Sequence, residues 1–263
     1  MVNGVVPNKA LGQNFLMDSG VAQVMVASIG ITNGDWLIEV GSGTGALTHL
    51  LGPMCTVNQA HLNAVEFDID LIPTLTAKVV QNEYVTLVNA NILTFLDTIK
   101  VPATSRLKLI GSLPYNITSP LMHRLVHTEP MPETCVFLIQ KEVAQKICKI
   151  APRSNYLSVF VQTFFTPELL QVVDKKLFSP IPQVDGAVVK LTKKSAAILS
   201  RDVSRYEKYL HRVFFSPRKM LNKVFTPEEL KSYHLDGTKR PQDYSSDKYL
   251  EVFNLTGTAV ECK

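Results

Sequence analysis

The 263-residue chain has few of the features that mark several large protein classes. Its four cysteines, Cys55, Cys135, Cys148 and Cys262, are scattered, with no Cys-x-x-Cys pair and no histidine at ligand spacing. That pattern argues against a disulfide framework or a zinc site and predicts free, mostly buried thiols in a reducing compartment. The histidines His49, His61, His123, His127, His211 and His234 show no spacing of a nucleophile–base pair or a metal cluster, so no metal is expected. Apolar runs are short and interrupted, which excludes a membrane-spanning helix on the sequence pattern. The N-terminus carries neither a basic–apolar–small signal peptide nor an Arg-rich transit pattern. A cytoplasmic protein is the expectation, monomeric by default. Internal repeats and low-complexity tracts are absent. Charged residues make up 19%, somewhat below the usual share of about a quarter.

What is present is ample core material. The hydrophobic fraction is 46%, enough for one large α/β domain or for a domain with a small appendage. A net charge of +4 permits a polyanionic partner without demanding one. Residues 19–29 have a helical pattern with Asp18 or Ser19 as N-cap. Strand-like runs at 35–40, 62–67, 85–88, 107–110 and 135–139 alternate with helical stretches at the spacing of βαβ units. This predicts a mostly parallel, doubly wound, Rossmann-like sheet. Two further β-like runs, 168–173 and 187–191, flank a Pro-rich stretch and are expected to close the sheet edge as a hairpin-like pair. From about Lys193 the spacing becomes helical and basic. The expected division is therefore a sheet domain at 1–192 and a small helical domain at 193–263.

Three segments carry chemistry. The first is Glu39-Val40-Gly41-Ser42-Gly43-Thr44-Gly45, which joins a strand to a helix. Its glycines, Gly41 and Gly43 among them, let the backbone turn tightly and approach a nucleotide-like ligand. Glu66 ends the next strand, where a carboxylate can accept both ribose hydroxyls. An adenosine-containing cofactor follows. S-adenosylmethionine suits the segment better than a nicotinamide dinucleotide, although Ala46 completes a Gly-x-Gly-x-x-Ala pattern; a purely structural glycine turn is the plainer alternative. Asn91, after the third strand, either meets the cofactor or is an ordinary turn residue.

The second segment is Ser112-Leu113-Pro114-Tyr115, at the end of the fourth strand. The Ser112 hydroxyl and the backbone carbonyls around Pro114 can accept hydrogen bonds from an aromatic amino group, and the Tyr115 ring can stack on the base. Such acceptors hold the nitrogen lone pair out of conjugation and make it a better nucleophile. The alternative is a Pro-containing loop with a buried tyrosine. The third segment, residues 205–223, sets Arg205, Lys208, Arg212, Arg218, Lys219 and Lys223 against Glu207 alone, with Tyr206, Tyr209, Phe214 and Phe215 among them. That composition suits phosphate contacts and base stacking, or equally an amphipathic helix with an aromatic core. Arg218 and Lys219 follow Pro217 and are expected at a helix start. Lys141, Lys146, Lys149 and Arg153 form a second basic patch. Gly12-Gln13-Asn14-Phe15-Leu16 can clamp a polar ligand or anchor the N-terminal arm.

These segments, together with Ala64-Val65-Glu66, Gln140-Lys141-Glu142-Val143-Ala144, Tyr156-Leu157-Ser158-Val159, the run from Phe178 to Asp185 and Phe214-Phe215-Ser216-Pro217-Arg218-Lys219, occur in a specific order and spacing. In that order the chain closely resembles the ribosomal RNA adenine N6-dimethyltransferases, which modify two adjacent adenosines near the 3′ end of small-subunit RNA. The resemblance covers nearly the whole chain. It implies a methyltransferase domain followed by a small helical RNA-binding domain, S-adenosylmethionine as cofactor, and the pre-small ribosomal subunit as partner. It implies that Asn14, Leu16, Gly41, Gly43, Glu66, Asn91 and Ser112 meet the cofactor. Ser112, Pro114 and Tyr115 would hold the target adenine, and Lys141, Lys146, Arg153, Arg212, Arg218 and Lys219 would meet RNA. Asn91 stands where the family usually has Asp, and Ser112 where it usually has Asn. The competing readings are a large-subunit adenine N6-methyltransferase of macrolide-resistance type and a non-catalytic ribosome-assembly or transcription factor on the same fold.

Overall fold

A computed structural model describes residues 6–8, 11–79, 82–195 and 202–257. In chain order the elements are β1 (Phe15–Leu16), α1 (Ser19–Ile29), β2 (Trp36–Val40), α2 (Thr48–Val57), β3 (His61–Glu66), α3 (Ile72–Lys78), β4 (Val85–Asn89), α4 (Ile92–Thr98), β5 (Leu107–Ser112), α5 (Thr118–His127) and β6 (Thr134–Gln140). Then come α6 (Lys141–Ile147), α7 (Tyr156–Phe164), β7 (Phe165–Val173), β8 (Phe178–Ser179), β9 (Gly186–Lys193), α8 (Val203–Phe214), α9 (Pro227–Ser232) and α10 (Ser246–Gly257). The chain divides into two compact units: Met1–Ala144 with Glu168–Lys193, and Gln145–Pro167 with Lys194–Lys263. The unit boundary after Lys193 lies where the sequence pattern turns helical. Residues 145–167 cluster with the C-terminal segment, although in sequence they sit between two strands of the sheet.

The first unit is built on a seven-stranded sheet of order β4-β3-β2-β5-β6-β9-β7. The pairs β3–β4, β2–β3, β2–β5 and β5–β6 are parallel, and β9 runs antiparallel to β6. The two late runs lie together at the edge, as their sequence predicts. Strands covered on both faces carry near-continuous apolar runs. The middle of β6, Cys135 to Ile139, is buried throughout, as is β5 from Leu107 to Gly111. Gly111 is required by close approach, because a Cβ there would lie 2.4 Å from the Val40 carbonyl oxygen of neighbouring β2. Helix α1 starts where the Asp18 carboxylate accepts from the Val21 N–H at 2.8 Å, and it ends at Gly30 with φ +61°.

From β2 the chain moves outward to β3 and β4 on one side, then returns to place β5 and β6 on the other. This reversal opens a crevice beyond the carboxyl ends of β2 and β5, the usual ligand position in such sheets. A two-stranded ribbon pairs β1 with β8, matching Phe15 with Ser179 and Leu16 with Phe178. The N-terminal Gln-Asn-Phe-Leu segment is therefore fastened to the Pro-rich stretch more than 150 residues away.

The helical unit has an aromatic core. Tyr206 and Tyr249 are fully buried. The Tyr206 ring packs edge-on against Phe253 with centroids 5.0 Å apart. Its hydroxyl lies 2.8 Å from Thr163 Oγ1, and the Tyr249 hydroxyl donates to the Pro241 carbonyl at 2.7 Å, so both buried phenols are partnered. Capping boxes start α7, at Asn155 and Ser158, and α9, at Thr226 and Glu229. Among the described residues no helix is long and apolar enough to cross a membrane, and no group of three or more His, Cys, Asp or Glu could hold a metal. Cys55, Cys135 and Cys148 are free; Cys262 lies outside the described residues.

Candidate active site

The crevice beyond the strand ends forms a cavity of about 270 Å³, lined entirely by the sheet unit. The last residues of β2, β3 and β5 converge there, joined by the segment around β1. Asn14, Leu16, Gly41, Gly43, Glu66 and Asn91 all line it. Ser112, Pro114 and Tyr115 line it as well, so both sets of residues singled out in the sequence meet in a single cavity.

The glycine turn forms one wall. Gly41 and Gly43 have φ of +69° and +57°, in the left-handed region that side-chain-bearing residues avoid. A Cβ on Gly43 would also come within 3.3 Å of the Phe15 ring. The Glu66 carboxylate is anchored at both oxygens. Oε2 accepts from the Gly43 N–H at 2.8 Å and Oε1 from the Asp68 N–H at 2.8 Å. Burial nonetheless raises its pKa, and these two backbone N–H groups oppose that rise. Asp68 in turn accepts from Gln13 Nε2 at 2.6 Å, which ties the N-terminal segment to the loop after β3. Asn14 is held by its own turn, donating from Nδ2 to the Gly12 carbonyl at 3.1 Å.

Asn91 is the N-cap of α4. Its Oδ1 accepts from the Leu93 N–H at 2.9 Å, so one oxygen serves the helix while the residue still faces the cavity. Ser112 is the final residue of β5 rather than part of the following turn. Its neighbour Leu113 donates its N–H to the Leu138 carbonyl at 2.9 Å, and the Ile117 N–H closes the turn on the Pro114 carbonyl at 3.2 Å. The Tyr115 ring is half-buried. Its hydroxyl oxygen is buried, with no hydrogen-bond partner among the described residues. Burial raises the Tyr115 pKa, with the charges of Glu142 and Asp185 adding to the effect.

One member of the site is more than its motif suggested. Glu39, on β2, lines the cavity while only 1% exposed, and burial pushes its carboxyl up to about 8. The Thr48 hydroxyl donates to its Oε2 at 2.6 Å. It is a neutral acid at pH 7, beside the cavity and close to Glu66, whose charge contributes to the shift. The available signal was an acid at a fully buried position of an otherwise apolar strand.

The basic residues separate. Lys141 belongs to the sheet unit, where its ammonium pairs with Asp185 at 3.3 Å. Lys146 and Arg153, in the helical unit, are exposed. Arg212 is committed internally: it donates to the Val224 carbonyl at 3.0 Å, pairs with Glu229 at 3.2 Å and lies over the Phe225 ring. Arg218 and Lys219 are exposed and make no side-chain hydrogen bond or ion pair among the described residues. The helix start expected for them is not there. Helix α8 ends at Phe214, and residues 215–219 are bends and turns, since Pro217 cannot continue the preceding helix.

A family model described as ribosomal RNA adenine dimethylase matches residues 6–257. The chain belongs to the ribosomal RNA adenine dimethylase family. It is an α/β methyltransferase of that family, and a methyl-donor site is accordingly expected in the fold. Its relatives include the ribosomal RNA small subunit methyltransferase A of a Sulfurihydrogenibium species, 32% identical over 97% of this chain and 98% of that protein. The protein of the same name from Pseudomonas aeruginosa is 33% identical over 94% of this chain and 93% of its own length. Among solved structures, a dimethyladenosine transferase from Plasmodium falciparum superposes with a TM-score of 0.78 at 20% identity, covering 92% of this chain and 98% of that one. The 23S rRNA methyltransferase ErmE superposes with a TM-score of 0.72 at 24% identity, covering 92% of this chain and 99% of its own. These two likenesses show the family fold.

Proposed function

We propose that this protein transfers methyl groups from S-adenosylmethionine to the N6 amino groups of two adjacent adenosines near the 3′ end of small-subunit ribosomal RNA, giving dimethyladenosine during maturation of the small subunit. The observation that carries the reading is one cavity in which a glycine turn, an anchored ribose-type acid and the Ser-Leu-Pro-Tyr turn face each other. The relatives named for small-subunit RNA match over nearly their full length. The large-subunit alternative rests on likeness of fold alone.

The residues present fit the cofactor. Left-handed Gly41 and Gly43 keep the wall free of side chains, and Glu66 is held by backbone N–H groups that leave further lone pairs for ribose hydroxyls. Asn14, Leu16, Asn91 and Ser112 complete the holding set. Once bound, S-adenosylmethionine supplies an electrophilic methyl group carried on a sulfonium. The protein's own task is to position the other reactant. The Tyr115 ring offers a stacking face to an adenine that has left its stack, at a cost of a few kcal/mol. The Ser112 hydroxyl and a backbone carbonyl of the turn accept from the amino group and direct its lone pair toward the methyl. The fixed turn, closed from Ile117 to Pro114, keeps these acceptors in place before the base arrives. The proton released by the amino group passes to water. The unpartnered Tyr115 hydroxyl is a polar atom ready for substrate or water.

The test is methyl transfer from labelled S-adenosylmethionine to undermodified small ribosomal subunits, with large-subunit RNA in parallel and nucleoside analysis of the product. Dimethyladenosine in small-subunit RNA alone is the expected result. The double substitution Ser112→Ala with Tyr115→Ala should abolish transfer while the rest of the holding set, Asn14, Leu16, Gly41, Gly43, Glu66 and Asn91, still binds the cofactor; retained methylation by that variant would overturn the assigned roles.

A further inference from the structure

Of the four aromatic residues interleaved with the basic stretch, three are structural. Tyr206 is fully buried, Tyr209 packs against Phe253 and Tyr249, and Phe214 packs edge-on against Tyr249. Phe215 is different: it is 87% exposed and makes no ring contact among the described residues. Helical phase explains the contrast. Tyr206, Leu210 and Val213 form the buried stripe of α8, and Phe215 falls just past the helix end and off that stripe. A bare phenyl ring in water is unfavourable, and a single exposed aromatic by itself would signify little. Its setting makes it informative. Ser216 and Lys219 close a turn through a 2.9 Å backbone hydrogen bond, and this turn, which carries the exposed cations Arg218 and Lys219, follows Phe215 directly in the chain. Lys208 and Lys223, also exposed, continue the positive charge on either side in sequence.

We infer that Phe215 is a base-stacking residue, taking an unpaired nucleotide of RNA on its open face while Arg218 and Lys219 hold the flanking phosphates. The inference rests on the proposed RNA substrate and names a contact within the helical unit that recognises it. Charge complementarity selects the occupant: an anionic backbone for the cations and a flat π surface for the ring occur together in single-stranded nucleic acid. Because the ring is largely exposed and makes no ring contact among the described residues, it can be changed without disturbing the Tyr206–Phe253 core.

The experiment uses the full chain with oligoadenylate of about ten nucleotides, and undermodified small subunits in parallel. Phe215→Leu should weaken oligoadenylate binding roughly 5- to 150-fold, the range expected for losing one stacked base, with an unchanged salt dependence. Arg218→Gln with Lys219→Gln should instead flatten the salt dependence. Phe215→Trp should retain affinity, and its emission should be quenched on binding, measured against the signal of Trp36, the sole native tryptophan. Wild-type affinity in Phe215→Leu, or unquenched emission in Phe215→Trp, would overturn the inference. So would a Phe215→Leu defect seen with intact subunits but with neither oligoadenylate nor protein-free small-subunit RNA, because the ring would then dock on a ribosomal protein. Methyl transfer measured on the same preparations separates the two claims. An active wild type with an unaffected Phe215→Leu removes only the stacking role. Quenching with no methyl transfer to any RNA supports stacking and removes the proposed reaction.

Discussion

Glu39 offers a measurable consequence of placing an acid at the floor of the sheet. In the unfolded chain its carboxyl ionises near the ordinary value of 4.5, whereas burial in the folded protein holds the proton until about pH 8. Between those values the folded state binds the extra proton, so stability falls as pH rises, by about 1.4 kcal/mol per pH unit. The interval from 4.5 to 8 corresponds to roughly 5 kcal/mol, fully lost above pH 8. Glu39→Gln removes the ionisation but keeps an oxygen to accept from Thr48, which now donates at 2.6 Å. The variant should therefore gain on the wild type as pH rises, the gap widening by about 4 kcal/mol between pH 5 and pH 9. Urea unfolding followed by Trp36 emission reports this directly, because Trp36 lies on β2 with Glu39. Parallel pH profiles for the two proteins would refute the reasoning and show that Glu39 ionises normally in the folded state.

Gly111→Ala should destabilise the sheet unit by at least about 3 kcal/mol, or prevent its folding, since the new Cβ meets backbone on β2 that cannot yield; urea denaturation measures it. Glu66→Ala removes the acceptor of the Gly43 and Asp68 N–H groups and should weaken S-adenosylmethionine binding by about 10- to 30-fold in calorimetry. Arg212→Ala should lower the thermal stability of the helical unit by about 1–2 kcal/mol and leave the salt dependence of RNA binding unchanged, because its guanidinium is already engaged by Glu229, Val224 and Phe225. Arg218→Gln with Lys219→Gln should reduce the slope of log affinity against log salt by roughly 1.4 without lowering stability.

Local physics fixed much of this molecule in its sequence. Strand-turn-helix order follows from apolar runs punctuated by glycines, so the parallel sheet, the left-handed Gly41 and Gly43 and the Asp18 cap are consequences of short-range conformational preference. The family resemblance was legible because several motifs recur in order, and the short motifs already mark the strand ends where a doubly wound sheet opens its crevice. Tertiary structure decided what depends on distant neighbours. Nothing near Phe15 or Leu16 announces pairing with Ser179 and Phe178, since strand partners are chosen across the chain. Residues 145–167 lie between strands in sequence yet join the helical unit, because α7 packs against α8 and α10. Arg212 and Arg218 look alike as letters, but Glu229 and the Val224 carbonyl engage one and leave the other to solvent. Glu39 is written as an ionised acid and becomes a neutral one, because its pKa belongs to the dielectric that the folded sheet builds around it.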